Sequence, residues 1–508
     1  MSDSGESQRT QSFRSASVLL ASNRGPVSFR LGEDGELAAK RGGGGLVSGL
    51  SSIEANKDRL RRAQQRVDGA EHAGEVVWVC AALSEGDRAA ARRSPGGRLD
   101  RSGLFEQGGG AAVRMLDIDA QTFHAAYNAV ANSTLWFVQH MLYATPTSPA
   151  FGPEFDRQWR AFEAYNRAFA AALAEEAAEG ARVLIQDYHL CLAPKFLREL
   201  RPDLRIGHFS HTPWAPPDYF RILPDAVAAE ILEGMLGADR TCFLTRRWAD
   251  AFADCCEAVL GRRPEPSRLG VHSLGVDAAA LIDRASQHDV AHREKELRAT
   301  VGEERQVLVR VDRTELSKNI VRGLEAYAEL LRTHPEWRGK VVHIAFAYPS
   351  RTDLAEYRDY TASVQRLAKE IEDEFSSPEH PGWHPLIMHV EDDFARSLAA
   401  YRMADVAVVN PIRDGMNLVA KEIPIIAEAA GGSCALVLSR EAGAYAELAE
   451  AAFTVNPYDV TATAEAMHAA LSQGTDARAE RCARLARLGA ALPPQLWFSD
   501  QLDALAEL

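Results

Sequence analysis

The run NPIRDGMNLVAKE, Asn410 to Glu422, directly follows the apolar stretch VAVVNP. Gly415 permits a tight turn there, and the backbone N–H groups after it open a helix whose N-terminus binds phosphate without a charged side chain. Glu422 comes about two helical turns after Asp414, where a carboxylate can accept hydrogen bonds from two ribose hydroxyls. An ordinary strand-to-helix turn ending in a surface glutamate fits the same residues. A second run, RVDRTELSKN, Arg310 to Asn319, also closes an apolar stretch. Its Arg313 and Lys318 pair a forked guanidinium with a point-charge ammonium, a set that can clamp a diphosphate. Solvated strand-end cations are the plainer alternative.

A third run, RGGGGLVSGL from Arg41 to Leu50, has four consecutive glycines, giving a loop able to pass close to a ligand or close over it. It lacks the G-K-[ST] of a P-loop and the G-x-G-x-x-G spacing of a dinucleotide fingerprint. QDYHL, with Asp187 and His189, and HFSHTPW, with His208 and His211, end two further apolar runs. No H-E-x-x-H or second carboxylate at ligand spacing accompanies these histidines, so no metal site is read from them. No G-x-S-x-G elbow marks a nucleophilic serine.

Charge narrows the ligand class. Lys plus Arg number 57 and Asp plus Glu 71, so 57 − 71 leaves a net charge of −14 on 508 residues. Nucleic-acid and anionic-membrane binders need a basic surface, which excludes them as partners and requires any small anion to be held by a local cationic cluster. Hydrophobic content of 46% and charged content of 25% are those of a globular chain. The seven cysteines are odd in number and scattered through apolar runs, and are expected reduced in the core. The polar, Ser-rich segment 1–16 is expected to form a disordered tail without a signal-peptide core, and no apolar run reaches membrane-helix length. A soluble, cytoplasmic protein is expected.

The elements that must position these residues repeat one theme. Short apolar runs begin at Val18, Val76, Val183, Ile206 and Cys242, and again at Val307, Val341, Leu386, Val406, Cys434 and Phe453. Ala-, Leu- and Arg-rich stretches with helical periodicity separate them, the pattern of parallel βαβ units. Eleven strands are too many for one open sheet. The reading is therefore α/β with two doubly wound domains, 17–265 and 266–485, hinged near the Pro-containing Gly261 to Gly270 and followed by an amphipathic helix at 486–508 that docks on the body. In such a pair, ligands sit in the cleft at the carboxyl ends of the strands.

Taken in order, SNR, GGGGLVSGL, YNAVANSTLWF, QDYHL, HTPWAPPDYFRILP, VDRTELSKN, PSR and RDGMNLVAKE resemble the motif series of the trehalose-6-phosphate synthases, from about Val18 to about Asp459. These are retaining family 20 glycosyltransferases of the GT-B fold, with two Rossmann-like domains. The resemblance implies transfer of glucose from UDP-glucose or GDP-glucose to glucose 6-phosphate, with no cofactor and no metal. Carried over by position, Arg313 and Lys318 bind the donor diphosphate; Asp414, Gly415, Met416, Asn417, Leu418 and Val419 line the donor sugar and phosphates; Glu422 holds the ribose. Gly44, Gly45 and Leu46 close over the donor, and His211 sits at its glucose. Arg24 and Arg351 grip the acceptor phosphate, Tyr127 and Trp136 flank the acceptor, and Asp187 bonds a hydroxyl near the reacting centre. Asp187, Arg313, Lys318 and His211 form the implied catalytic set. With no carboxylate evident for a covalent intermediate, front-face substitution is the expected route. The sequence leaves open a homo-oligomer, a dimer or tetramer. Two rivals remain, a pseudo-glycosyltransferase coupling cyclitols and a non-catalytic regulatory subunit.

Overall fold

The computed structural model describes residues 16–41, 76–99, 111–302 and 304–507. The expected tail lies outside them except for Ala16, which opens the first strand, and Gly44, Gly45 and Leu46 of the glycine-rich loop also lie outside the described residues.

In chain order the strands are β1 Ala16–Ser22, β2 Val27–Leu31, β3 Leu37–Arg41, β4 Val76–Ala81, β5 Ala112–Leu116, β6 Ala177–Gln186, β7 Arg205–Ser210, β8 Arg240–Phe243 and β9 Leu269–Val271. They continue with β10 Gln306–Arg313, β11 Val341–Tyr348, β12 Leu386–His389, β13 Val406–Val409, β14 Ala435–Ser439 and β15 Phe453–Val455. Two parallel sheets result, ordered β5-β4-β1-β6-β7-β8-β9 and β12-β11-β10-β13-β14-β15. Counted within each sheet, both begin 3-2-1-4-5-6, the doubly wound order expected. VVWVCA of β4 and VAVV of β13 are buried at every position, because helices cover both faces of a parallel sheet and leave no polar side to alternate with.

All eleven expected strands are present. Three short strands and a hairpin partner were not anticipated. In β2, VSFRL buries Val27 and Phe29, ends on exposed Arg30 and Leu31, and pairs antiparallel with β3; the hairpin is tied to the helix Glu85–Arg93 by the Phe29 N–H donating to Asp87 Oδ1 at 2.7 Å. In β5, AVRML carries Arg114, whose guanidinium reaches Glu175 at 2.6 Å. At three residues, β9 is too short to read from periodicity. It belongs to the first sheet, so that sheet's last strand lies beyond the 265/266 boundary read from the sequence.

The chain then crosses at residues 272–277, where a Cβ on Gly275 would stand 1.7 Å from the Leu492 carbonyl oxygen. Only glycine lets the outgoing and returning segments lie so close. Lys421, fully buried, pins the outgoing segment by donating to the Leu274 carbonyl and to Glu447, each at 2.9 Å. The returning helix Pro494–Ala506 packs on the first sheet, with Trp497 edge-on to Phe209 of β7 at 4.9 Å. Trp497, Leu502 and Leu505 are buried as its periodicity predicts, whereas Leu496 is exposed. All seven cysteines are buried and free. Among the described residues no helix is long and apolar enough to cross a membrane.

Candidate active site

In each sheet the order reverses between strands 1 and 4, and the loops there diverge to leave a crevice. In the first sheet those loops are Ser22–Arg24, after β1, and Asp187–Leu190, after β6; in the second they are Arg313 to Lys318, after β10, and Asn410 to Leu418, after β13. The two crevices open onto one cleft. A cavity of about 560 Å³ is lined from the first half by Arg24, Tyr127, Asn128, Asn132, Trp136 and Gln186 to His189, and from the second by Arg313, Ser350, Arg351 and Asp353.

The cavity wall from the first half rests on a π-helical segment, His124–Leu135, continuing into the helix Trp136–His140. Such wide turns are uncommon and recur at functional sites. Asn128, Asn132 and Trp136, four residues apart, fall on one face of it. Arg351 crosses from the second half to stack on the Trp136 ring, 4.1 Å from its centroid. Its guanidinium donates to the Tyr357 hydroxyl at 2.8 Å and to the Tyr188 hydroxyl at 3.4 Å, while Tyr188 donates to Asn132 Oδ1 at 2.9 Å. Behind Trp136 the ring of His140 stacks at 3.9 Å, kept neutral because burial pushes its pKa down to about 3. Arg24 stands exposed on the wall. Asn23 beside it is oriented by Tyr165, whose hydroxyl donates to Asn23 Oδ1 at 2.5 Å.

Asp187 sits at the end of β6 with φ of 74°, a left-handed conformation costly for a non-glycine residue. Arg351, at 47°, and Asn417, at 70°, share that strain, so three of the five non-glycine residues with positive φ among the described residues are expected site residues. Burial raises the Asp187 carboxyl to about 6, against hydrogen bonds from the Tyr188 and His211 N–H groups and the attraction of Arg351. The loop is held by Asn166, fully buried in the helix Pro153–Glu176. Its Oδ1 accepts from Leu192 N at 3.1 Å and Ala193 N at 3.0 Å, and its Nδ2 donates to His189 O at 3.2 Å. His211 Nε2 lies 2.9 Å from Gln186 Oε1, which puts the ring proton on Nε2, and burial lowers its pKa to about 3.

In the second half Lys318 Nζ donates to Asp414 Oδ2 at 2.6 Å, and Asn417 Nδ2 donates to the same oxygen at 3.2 Å. Burial opposes the ammonium, but Asp414, Asp312 and Glu315 outweigh it and raise the pKa. Met416 is buried, and Leu418 leads into the helix Val419–Ala429, whose first turn contains Glu422. Burial raises Glu422 to about 7, opposed by the Tyr401 hydroxyl at 3.5 Å. Arg313 reaches over the cavity with a half-exposed side chain, 3.1 Å from Glu315. The halves meet where a Cβ on Gly415 would stand 1.9 Å from the His211 carbonyl oxygen, where Trp248 Nε1 donates to Gly415 O at 3.1 Å, and where Arg413 donates to Trp214 O at 2.7 Å.

Of the expected residues, Arg24, Tyr127, Trp136, Asp187, Arg313 and Arg351 therefore line one cavity; His211 joins it by donating its N–H to Asp187 Oδ1 at 3.2 Å, and Gly415 packs on His211, whereas Lys318, Asp414 and Glu422 lie outside its lining, Lys318 paired with Asp414 and Glu422 with Tyr401. Sequence reasoning missed Asn132, Tyr188 and Asn166. The spacing of Asn128, Asn132 and Trp136 was a usable signal; the Asn166 contacts, twenty-odd residues downstream, were not. Among the described residues the side chains that group closely enough for a metal ion are His334, Glu336 and His468. They lie where β11 begins, at the end of the sheet opposite the cleft, and Trp337 Nε1 donates to His468 Nδ1 at 3.0 Å.

The chain matches the family model for Glycosyltransferase family 20 over residues 18–507. A trehalose-6-phosphate synthase of Mycobacterium avium (strain 104) is 33% identical over 522 aligned residues, spanning 99% of this chain and 98% of the relative. Among solved structures, an E. coli chain bound with UDP-2-fluoro glucose superposes with a TM-score of 0.79 at 24% identity, covering 97% of this chain and 99% of that one. A UDP-forming α,α-trehalose-phosphate synthase of Burkholderia xenovorans in complex with glucose 6-phosphate gives 0.77 at 23% identity, covering 96% and 100%. The architecture is GT-B.

Proposed function

The chain belongs to glycosyltransferase family 20, and from that premise we propose that it moves glucose from a nucleoside diphosphate glucose to glucose 6-phosphate with retention, giving α,α-trehalose 6-phosphate and nucleoside diphosphate. UDP-glucose is the donor first expected, since of the solved structures it resembles one holds UDP-2-fluoro glucose and another is UDP-forming. The observation that carries the reading is the gathering of cations on one cavity: Arg24 of the first half and Arg313 and Arg351 of the second line it, Arg351 stacked on Trp136, while Lys318, on the loop that follows Arg313, pairs with Asp414. An acidic chain that concentrates cations in one cleft is built to hold two phosphate-bearing ligands end to end.

Arg351 and Arg24 take the acceptor phosphate, Trp136 and Tyr127 cover the sugar, and Asp187 accepts from an acceptor hydroxyl. As the donor's glycosidic bond breaks, charge grows on the β-phosphate. Arg313, Lys318 and the N–H groups opening the helix Val419–Ala429 meet that charge more strongly in the transition state than in the ground state. Lys318 exchanges Asp414 for phosphate. The acceptor attacks the face the diphosphate leaves, and the departing phosphate oxygen takes its proton. Because fixed cations meet the leaving group, turnover is expected to survive EDTA. His211, neutral and hydrogen-bonded to Gln186, offers the donor glucose a fixed polar edge.

The test is incubation with glucose 6-phosphate and a panel of nucleoside diphosphate glucoses, with the anomeric configuration of the product read by NMR. Absence of an α,α-linked product with every donor would reject the reading.

A further inference from the structure

Glu315 is an unusual residue to find in a cleft that holds anions. It is fully buried, yet ionised: burial alone would raise its pKa, but Arg313, Arg351 and Lys318 outweigh burial and hold it at about 2. A fixed negative charge there opposes both phosphate-bearing ligands, so its presence calls for a compensating role. Its Oε1 makes two contacts, an ion pair with Arg313 at 3.1 Å and a hydrogen bond from Ser350 Oγ at 3.2 Å. Its Oε2 is buried with no hydrogen-bond partner, a cost that few buried carboxylates carry. Arg313 is the last residue of β10, at the start of the loop that carries Glu315, and Ser350 precedes Arg351 on the loop after β11. The same two loops are stitched next door by Thr314, whose N–H and hydroxyl both donate to Tyr348 O, at 2.6 and 3.0 Å.

We propose that Glu315 is a positioning residue that couples the two substrate sites, joining the donor-side Arg313 through one carboxylate oxygen to the strained loop that presents Arg351 to the acceptor. The inference rests on the substrate assignment made above. A diphosphate bound at Arg313 immobilises that guanidinium and, through Glu315 and Ser350, the backbone of Arg351 at its positive φ. The second ligand then meets a loop already ordered, which raises its affinity, and by linkage the effect is reciprocal.

The experiment is calorimetric titration of glucose 6-phosphate with and without saturating UDP, in the wild-type protein, Glu315→Gln and Ser350→Ala, together with the turnover assay and a thermal melt. In the wild type, UDP should tighten glucose 6-phosphate binding about tenfold, within the usual range of coupling between sites. Glu315→Gln breaks the ion pair and Ser350→Ala breaks the loop contact, so in each the factor should fall below about twofold while both ligands still bind singly. Ser350→Ala removes one hydroxyl and remains informative if Glu315→Gln does not fold. Coupling unchanged in the variants, both single affinities lost equally with coupling intact, or no coupling in the wild type would each overturn the proposal. If the wild type instead forms no α,α-linked product and binds neither ligand, the substrate assignment itself fails.

Discussion

The Gly415 backbone presses so closely on the His211 carbonyl that a methyl group would stand 1.9 Å from the oxygen, and Trp248 fixes the other side of Gly415 by donating to its carbonyl at 3.1 Å. His211 follows a strand of the first sheet and Gly415 a strand of the second, so the distance between these two residues sets how the two crevices face each other. Gly415→Ala must push the halves apart there. We expect kcat/KM to fall at least about a hundredfold, since misplacement of about 1 Å can cost that much, with only a small shift in melting temperature. Steady-state kinetics beside a thermal melt would check it.

Arg351 has one planar face on Trp136 and its edge on two tyrosine hydroxyls. Its removal should raise KM for glucose 6-phosphate by roughly 10- to 100-fold, the value of one charge-assisted hydrogen bond at about 1.5–3 kcal/mol. Arg351→Lys should rescue little, because an ammonium supplies neither the fork nor the stacking plane. Comparing glucose with glucose 6-phosphate as acceptor is the decisive measurement. The wild-type preference for the phosphorylated sugar should collapse in Arg351→Ala.

The carboxyl of Asp187, raised to about 6 by burial, predicts opposite trends for activity and stability. Activity should fall as pH drops through about 6, when the group that accepts the acceptor hydroxyl becomes protonated. Between the unfolded value near 4 and about 6, the folded protein binds the extra proton, so this residue's contribution to stability rises as pH falls. Asp187→Asn should therefore be nearly inactive yet more stable than wild type at pH 8, with the gain shrinking toward pH 4. Denaturant melts across that range would show it.

Glu422 is raised to about 7 by burial. Ribose hydroxyls donating to it favour the carboxylate, so UDP binding should expel a proton and tighten as pH rises through 7. Calorimetry in buffers of different ionisation heat should detect that proton near pH 6.5. In Glu422→Gln the proton should vanish and affinity drop about tenfold, as expected for the loss of a charged hydrogen-bond acceptor.

Asn166 is fully buried and not part of the cavity lining, yet it satisfies two N–H groups and the His189 carbonyl of the loop that carries Asp187. Asn166→Ala leaves those buried groups unpaired and should destabilise the protein by about 2–4 kcal/mol. Asp187-dependent activity should fall with it. Chemical denaturation and kinetics together would separate the two effects.

The eleven apolar runs identified the strands because a sheet covered on both faces needs unbroken hydrophobic segments. AVRML and LGV escaped for the converse reason: one carries an arginine neutralised by Glu175, and the other has only three residues. Site residues were legible where chemistry follows from position at a strand end, as with Arg313, Asp187 and Asp414. Tyr188 was hidden because its hydroxyl finds Asn132 and Arg351 from distant parts of the chain.

Residue type and order alone were sufficient to determine the two doubly wound sheets, the net charge of −14, and which cationic residues stand at the ends of their strands. Only the tertiary structure decided which of those cations meet. It placed Arg351 on Trp136, left Lys318 paired with Asp414, and buried an ionised Glu315 between Arg313 and Ser350. The first joins the two halves, which meet at the crossing at Gly275 and the seam at Gly415; the other two join neighbouring loops of the second sheet. Their energies depend on burial and on distances of a few ångströms, which residue spacing along the chain does not encode.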